Sequence, residues 1–343
     1  MRGADAAGLG AAAGAGAGAV SDAAPPMRAA VIAAPGRVEM HEVLRPDPGP
    51  GEVRIRLEGC GVCGSNLPVW EGREWFEYPR TPGEPGHEGW GRVDAVGSGV
   101  TDLVVGDRVA ALSQRAYAEY DVVAADQALR LPASLAGMPF PGEPLACAMN
   151  VLRRSDIGPG HTVAVVGIGF LGAVLVRLAA RAGARVIAIS RRLFALEIAQ
   201  QLGAAVTIPM NDHETILERV RTLTGGAGCE RVVEAVGLQW PLDLAGELTA
   251  ERGRLVIAGF HQDGPRQVNM QLWNWRGLDV VNAHERDPRV YLEGMRAAVS
   301  AVESGALDPT PLYTHTLPLD RLGDALDLMR ARPDGFLKAL VVP

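Results

Sequence analysis

The chain has 343 residues, 48% apolar and 21% charged, with a formal net charge of −7. That length suggests two domains with full cores, and the acidic balance argues against nucleic acid or an anionic membrane surface as partner. No apolar run approaches the ~18 residues needed to span a bilayer. Four unevenly placed cysteines form no disulfide framework, so a reducing cytoplasm is the expected location.

Residues 1–26 are almost entirely Ala and Gly, with no aromatic residue and no helical stripe. Such a segment cannot bury enough surface to offset its ordering entropy, so a disordered extension is expected, with the fold starting near Met27. From there the text is β-like: Met27 to Ala33, a Pro35-Gly36 turn, then Val38 to Val43. The alternation from Glu52 to Glu58 predicts a strand with one solvated face. It runs into Gly59-Cys60-Gly61-Val62-Cys63-Gly64-Ser65-Asn66. Gly86-His87-Glu88-Gly89 then precedes a strand, and Gly106-Asp107-Arg108-Val109 turns into another. A proline-rich boundary, Pro139 to Pro144, precedes a predicted helix from Leu145 to Arg154.

The stretch Val163-Ala-Val-Val-Gly167-Ile-Gly169-Phe170-Leu171-Gly172 organises the rest. A β-branched apolar run reads as a buried parallel strand, and a helix from Ala173 to Ala182 and a strand from Ala184 to Ser190 follow. Strand, glycine turn, helix and strand within about 30 residues form a dinucleotide-binding unit. Gly167 makes the tight turn, Gly169 admits the pyrophosphate, and Gly172 lets helix and strand pack closely, with Phe170 and Leu171 opening the helix whose N–H groups face the phosphates. An NAD site places Asp or Glu at the end of the second strand. Here Ser190-Arg191-Arg192 stands instead. A hydroxyl and two guanidiniums suit a 2′-phosphate, so NADP(H) is the expected cofactor.

Helix and strand patterns keep alternating to Val281, which predicts a doubly wound parallel sheet. Ala235 and Gly237, at the carboxyl end of the strand from Arg231, are candidate cofactor contacts. A helix from Val290 to Ser304 begins the tail, and the last predicted strand, Leu337 to Val342, is expected to return to the first domain. The expected division is therefore 27–150 plus 288–343 for a β-rich domain and 151–287 for the nucleotide domain. Lys338 could meet a phosphate but reads better as a solvated lysine, and Trp70, Trp75, Phe76 and Tyr78 read as a wall of the cleft or packing under a loop.

Gly61-Val-Cys63-Gly-Ser65, Gly86-His87-Glu88-Gly89, Gly106-Asp-Arg-Val109, Glu143-Pro-Leu145 and Gly167-x-Gly-x-x-Gly172 stand in that order. Together they resemble the zinc-containing alcohol dehydrogenases of the medium-chain dehydrogenase/reductase family, especially the polyol and threonine dehydrogenase branch. The resemblance covers Met27 to Pro343. It implies an α/β protein, a GroES-like catalytic domain joined to a Rossmann domain. It also implies one catalytic zinc held by Cys63 and His87, with Glu88 and Glu143 as oxygen ligands or trading places with a water. Thiolate, imidazole and carboxylate are zinc's preferred donors. Cys147, four residues past Glu143, is the alternative third ligand. Ser65 would touch the substrate oxygen and begin a proton path.

Two residues depart from the family pattern. Asn66 stands where an Asp usually follows that hydroxyl, and Pro68 where many members end the proton path in His. No cysteine lies between Cys63 and Cys147, so a second, structural zinc on four cysteines is excluded there. The implied reaction is hydride transfer between NADP(H) and a small polar secondary alcohol or ketone, by a homodimer or homotetramer. The rivals are a zinc-independent quinone or enoyl reductase of the same fold and a catalytically silent NADPH-binding protein.

Overall fold

The computed structural model describes residues 25–343, so the predicted extension lies almost wholly outside the described residues. The chain opens with a hairpin of β1 (Pro26–Ala34) and β2 (Arg37–Leu44). β3 (Glu52–Gly61) runs three residues beyond its predicted end, to the doorstep of Cys63. The short helix α1 (Leu67–Glu71) follows, then β4 (Glu88–Val96), β5 (Arg108–Ala111), β6 (Tyr120–Ala124) and β7 (Ala128–Arg130). Helix α2 (Gly142–Ser155) starts earlier than the prolines suggest. Pro144 sits in its first turn, where a missing N–H costs nothing.

The parallel unit follows: β8 (Thr162–Val166), α3 (Phe170–Arg181), β9 (Arg185–Ser190), α4 (Leu193–Gln201), β10 (Val206–Pro209), α5 (His213–Leu223), β11 (Cys229–Glu234), α6 (Gln239–Leu248), β12 (Thr249–Ile257), α7 (Met270–Arg276) and β13 (Asp279–Asn282). Its six strands stand in the order β10-β9-β8-β11-β12-β13, all parallel. The order reverses between β8 and β11, and that switch point, where sheets of this kind take their ligands, lies at Gly167 and Ala235. Both faces are covered. Leu175, Ala179 and Met149 lie in one core, and Ile187, Ile216, Leu244 and Leu255 in the other. Burial on both sides is why these strands read as continuous apolar runs rather than alternating ones.

Helix α8 (Pro288–Glu303) packs along α2, joining the two units, and β14 (His315–Pro318), α9 (Leu322–Ala331) and β15 (Ala339–Val342) complete the chain. β15 returns to the β-rich unit, antiparallel to β3, with Leu340 opposite Gly61 and Val341 opposite Cys60. It is an interior strand of the order β14-β15-β3-β4-β5-β7, with β6 also paired to β3. Among the described residues no helix is long and apolar enough to cross a membrane.

Candidate active site

Two neighbouring strands present the donor side chains. β3 ends at Gly61, directly opposite Glu88, the first residue of β4. The glycine is required by this approach, because a Cβ there would meet Glu88 Oε2 at 1.8 Å. One donor atom each from Cys63, His87 and Glu88 lie within 4.8 Å of one another.

The histidine's orientation is fixed from behind. His87 Nδ1 lies 2.9 Å from the Pro85 carbonyl, which can only accept, so Nδ1 carries the proton and Nε2 is left for the thiol side. Burial opposes a charge on His87, but Cys63, Glu143 and Glu88 outweigh it and push the ring up to about 10. Asn66, only 1% exposed, braces the loop rather than the ring. Its Oδ1 accepts from the Cys63 N–H at 3.1 Å and from Tyr117 Oη at 2.7 Å, and its Nδ2 donates to the same Pro85 carbonyl at 3.3 Å. An amide can do all three, whereas a carboxylate could not make the last bond.

Glu143 lies in the first turn of α2, outside that close trio, and accepts from Cys147 Sγ at 3.3 Å one turn on. Burial raises its pKa, and the nearby His87 pulls the other way. Ser65 is half-buried in the turn Gly64–Asn66, two residues past Cys63.

Lys338 is not solvated. It is 3% exposed, against 0% for Glu88. Its Nζ donates to Glu88 Oε1 at 2.6 Å and sits 5.2 Å from the centre of the Phe170 ring. The cause is β15: entering the sheet beside β3 carries the preceding lysine into the interior. Glu88 Oε2, also buried, stands 2.5 Å from the same Nζ, so the ammonium spans both carboxylate oxygens. A buried carboxylate beside a thiol and a fixed imidazole fits the donor set of a catalytic zinc. Of the four aromatic residues, Trp70 takes the packed alternative. It is 3% exposed, in the core, with Nε1 donating to Asp327 at 2.9 Å, whereas Trp75 is 55% exposed.

At the switch point Gly167 takes a φ of 100°, and a Cβ on Gly172 would lie 2.0 Å from the Gly167 carbonyl. Gly169 caps α3, and Phe170 and Leu171 form its first turn. The Ala235 N–H donates to Val166 O at 2.8 Å. Sequence reasoning missed the brace beneath this crevice. Glu234, fully buried, accepts from the Val236 and Gly237 N–H groups at 2.7 and 2.8 Å and from His261 Nε2 at 2.9 Å. His261 Nδ1 in turn accepts from Arg266 Nε at 3.0 Å. A glutamate inside a β-branched run was the available signal.

The arginine pair divides. Ser190 is buried and its Oγ accepts the Arg192 N–H at 3.4 Å, while Arg191 is exposed. Arg192 is a strap: Nη2 donates to Ile168 O at 3.1 Å and Nη1 to Phe336 O. It thereby ties the glycine turn to the segment leading into β15.

Comparison with known proteins agrees with this arrangement. A family model for an alcohol dehydrogenase GroES-like domain matches residues 49–133, and one for a zinc-binding dehydrogenase matches residues 171–300. The chain is 33% identical to an alcohol dehydrogenase of Geobacillus stearothermophilus over 328 residues, 85% of this chain and 92% of that one. It is 29% identical to an L-threonine 3-dehydrogenase of Bacillus velezensis over 338 residues, 89% of this chain and 95% of the relative. Among solved structures, a zinc-binding dehydrogenase of Sinorhizobium meliloti bound to NADP superposes with a TM-score of 0.79 at 26% identity, over 93% of this chain and all of that one. The chain therefore belongs to the zinc-containing alcohol dehydrogenases, the NAD(P)-dependent oxidoreductases of the medium-chain dehydrogenase/reductase family.

Proposed function

We propose that this protein is an NADP(H)-preferring dehydrogenase with one catalytic zinc, acting on a small polar secondary alcohol or the matching ketone. The observation that carries the reading is the convergence of one donor atom each from Cys63, His87 and Glu88 within 4.8 Å of one another. When bound, zinc polarises the substrate oxygen and the nicotinamide exchanges a hydride with the carbon that bears it.

The chain's own groups do the rest. Cys63 and His87 would hold the metal, and the Glu88 and Glu143 carboxylates would supply oxygen donors or yield to water. The Ser65 hydroxyl acts as a relay, accepting the proton of the substrate hydroxyl as it passes its own onward. With Pro68 in place of a terminal histidine, that proton leaves by water or a ribose hydroxyl. The Gly167–Gly172 turn and the start of α3 seat the pyrophosphate, and Arg191 meets the 2′-phosphate. Ala235 and Gly237 line the crevice floor. Free thiols throughout suit a reducing cytoplasm. Trp275, 89% exposed beside the edge strand β13, suits sheet extension to a second copy.

The test is turnover of a panel of secondary alcohols, polyols and ketones with NADPH and NADH in parallel, with zinc measured on the same sample. Zinc-dependent turnover faster with NADPH supports the reading. Turnover untouched by metal removal favours a zinc-independent reductase instead, and absence of hydride exchange with labelled NADPH favours a silent binding protein.

A further inference from the structure

With Arg192 committed to two backbone carbonyls, the predicted phosphate pair is one guanidinium short, and the β-rich unit supplies a replacement. Arg332 closes α9 in the left-handed conformation, φ 46°, with its N–H on Leu328 O at 2.8 Å. Glycine or asparagine is usual there, and an arginine is held at a cost in backbone strain. Backbone strain of that kind gathers at binding sites. Its Nε donates to Met329 O at 3.2 Å, and Nη2 reaches to 3.7 Å from where a Cβ on Gly64 would stand. The head thus stands beside the turn after Cys63, and the Arg192–Phe336 bond brings the segment that follows Arg332 against the end of β9. Desolvation, then the charge of Arg191, lowers the pKa of Arg332, and desolvation, then Arg332 and Arg191, lowers that of Arg192. Three guanidiniums gather here, with Asp334 the carboxylate that eases Arg192. Like charges brought together across a cleft await an anion.

We propose that Arg332, carried by the β-rich unit, joins Arg191 of the parallel-sheet unit in gripping the 2′-phosphate of NADP(H). This rests on the NADP reading above. It makes cofactor choice a property of both units, since the phosphate bridges them.

The test is calorimetric titration with 2′,5′-ADP and 5′-AMP, which undergo no turnover, on the full chain and on Arg332→Gln, Arg332→Gly and Arg191→Gln. Glycine suits the left-handed position, so Arg332→Gly keeps or raises the melting temperature. Both Arg332 variants are expected to weaken 2′,5′-ADP about tenfold or more and 5′-AMP less than about twofold. Equal weakening of both ligands, or no weakening, overturns the proposal. If only Arg191→Gln discriminates, the proposal fails while the NADP reading stands. If the unaltered chain binds 2′,5′-ADP no better than 5′-AMP, both fail.

Discussion

The buried pair of Lys338 and Glu88 gives the sharpest stability prediction. At 2.6 Å and an effective dielectric of ~20, opposite unit charges attract by about 6 kcal/mol. Removing each from water costs several kcal/mol, so the pair gains little over an apolar one, yet a single member left alone is expensive. Lys338→Met strands the Glu88 carboxylate and also removes the cation from the Phe170 ring. The expected cost is about 3–5 kcal/mol in metal-free protein. Glu88→Gln strands the ammonium and is expected to cost a similar amount. The double variant strands neither, so its cost falls short of the sum by about 2–3 kcal/mol. Urea unfolding of chelator-treated protein for all four members of the cycle measures this. If the two single costs add within about 0.5 kcal/mol, the pair is not coupled and the argument fails.

Three further outcomes follow from the geometry. Gly172→Ala drives a Cβ to 2.0 Å from a backbone carbonyl; a loss of about 1–3 kcal/mol with weakened NADPH binding is expected, and an unchanged melting temperature and dissociation constant would refute it. Glu234→Ala removes the acceptor for three donors and should cost about 3 kcal/mol or more while weakening NADPH and NADH alike; selective loss of one cofactor would contradict the brace. Zinc must displace the His87 proton below about pH 10, so metal affinity rises with pH towards that value and uptake releases protons. For the metal-free fold the sign is opposite: the raised His87 contributes fully below its ordinary 6.5 and loses that contribution as pH climbs through about 10. Calorimetry in two buffers of different ionisation enthalpy reads the released proton, and its absence at neutral pH would sink the reading.

The parallel unit was legible because its physics is local. A β-branched run, a glycine turn and a helix are neighbours in the chain, and burial on both faces leaves an unbroken apolar signature at β8 and β9. The His-Glu and Cys motifs were visible for the same reason. What could not be read was anything set by strand insertion. Lys338 in sequence resembles any surface lysine, and only the placement of β15 inside the sheet buries it. Trp70 shows the same limit, because its partner Asp327 stands far away on α9. Helix α7 was missed because Met270 to Arg276 carries no apolar stripe, although Asn269 and Gly277 are ordinary caps at its two ends. Arg192 misled because two adjacent arginines look alike until one is seen holding carbonyls.

The Pro85 carbonyl receives both the His87 ring and the Asn66 amide, which occupies its two lone pairs. A flipped imidazole would forfeit its anchor and turn the wrong nitrogen towards the thiol. The orientation of the ring is therefore chosen before any ion arrives. On the zinc reading above, capture asks only for loss of the Nε2 proton, and the same rigidity would hold that nitrogen in place while substrates come and go.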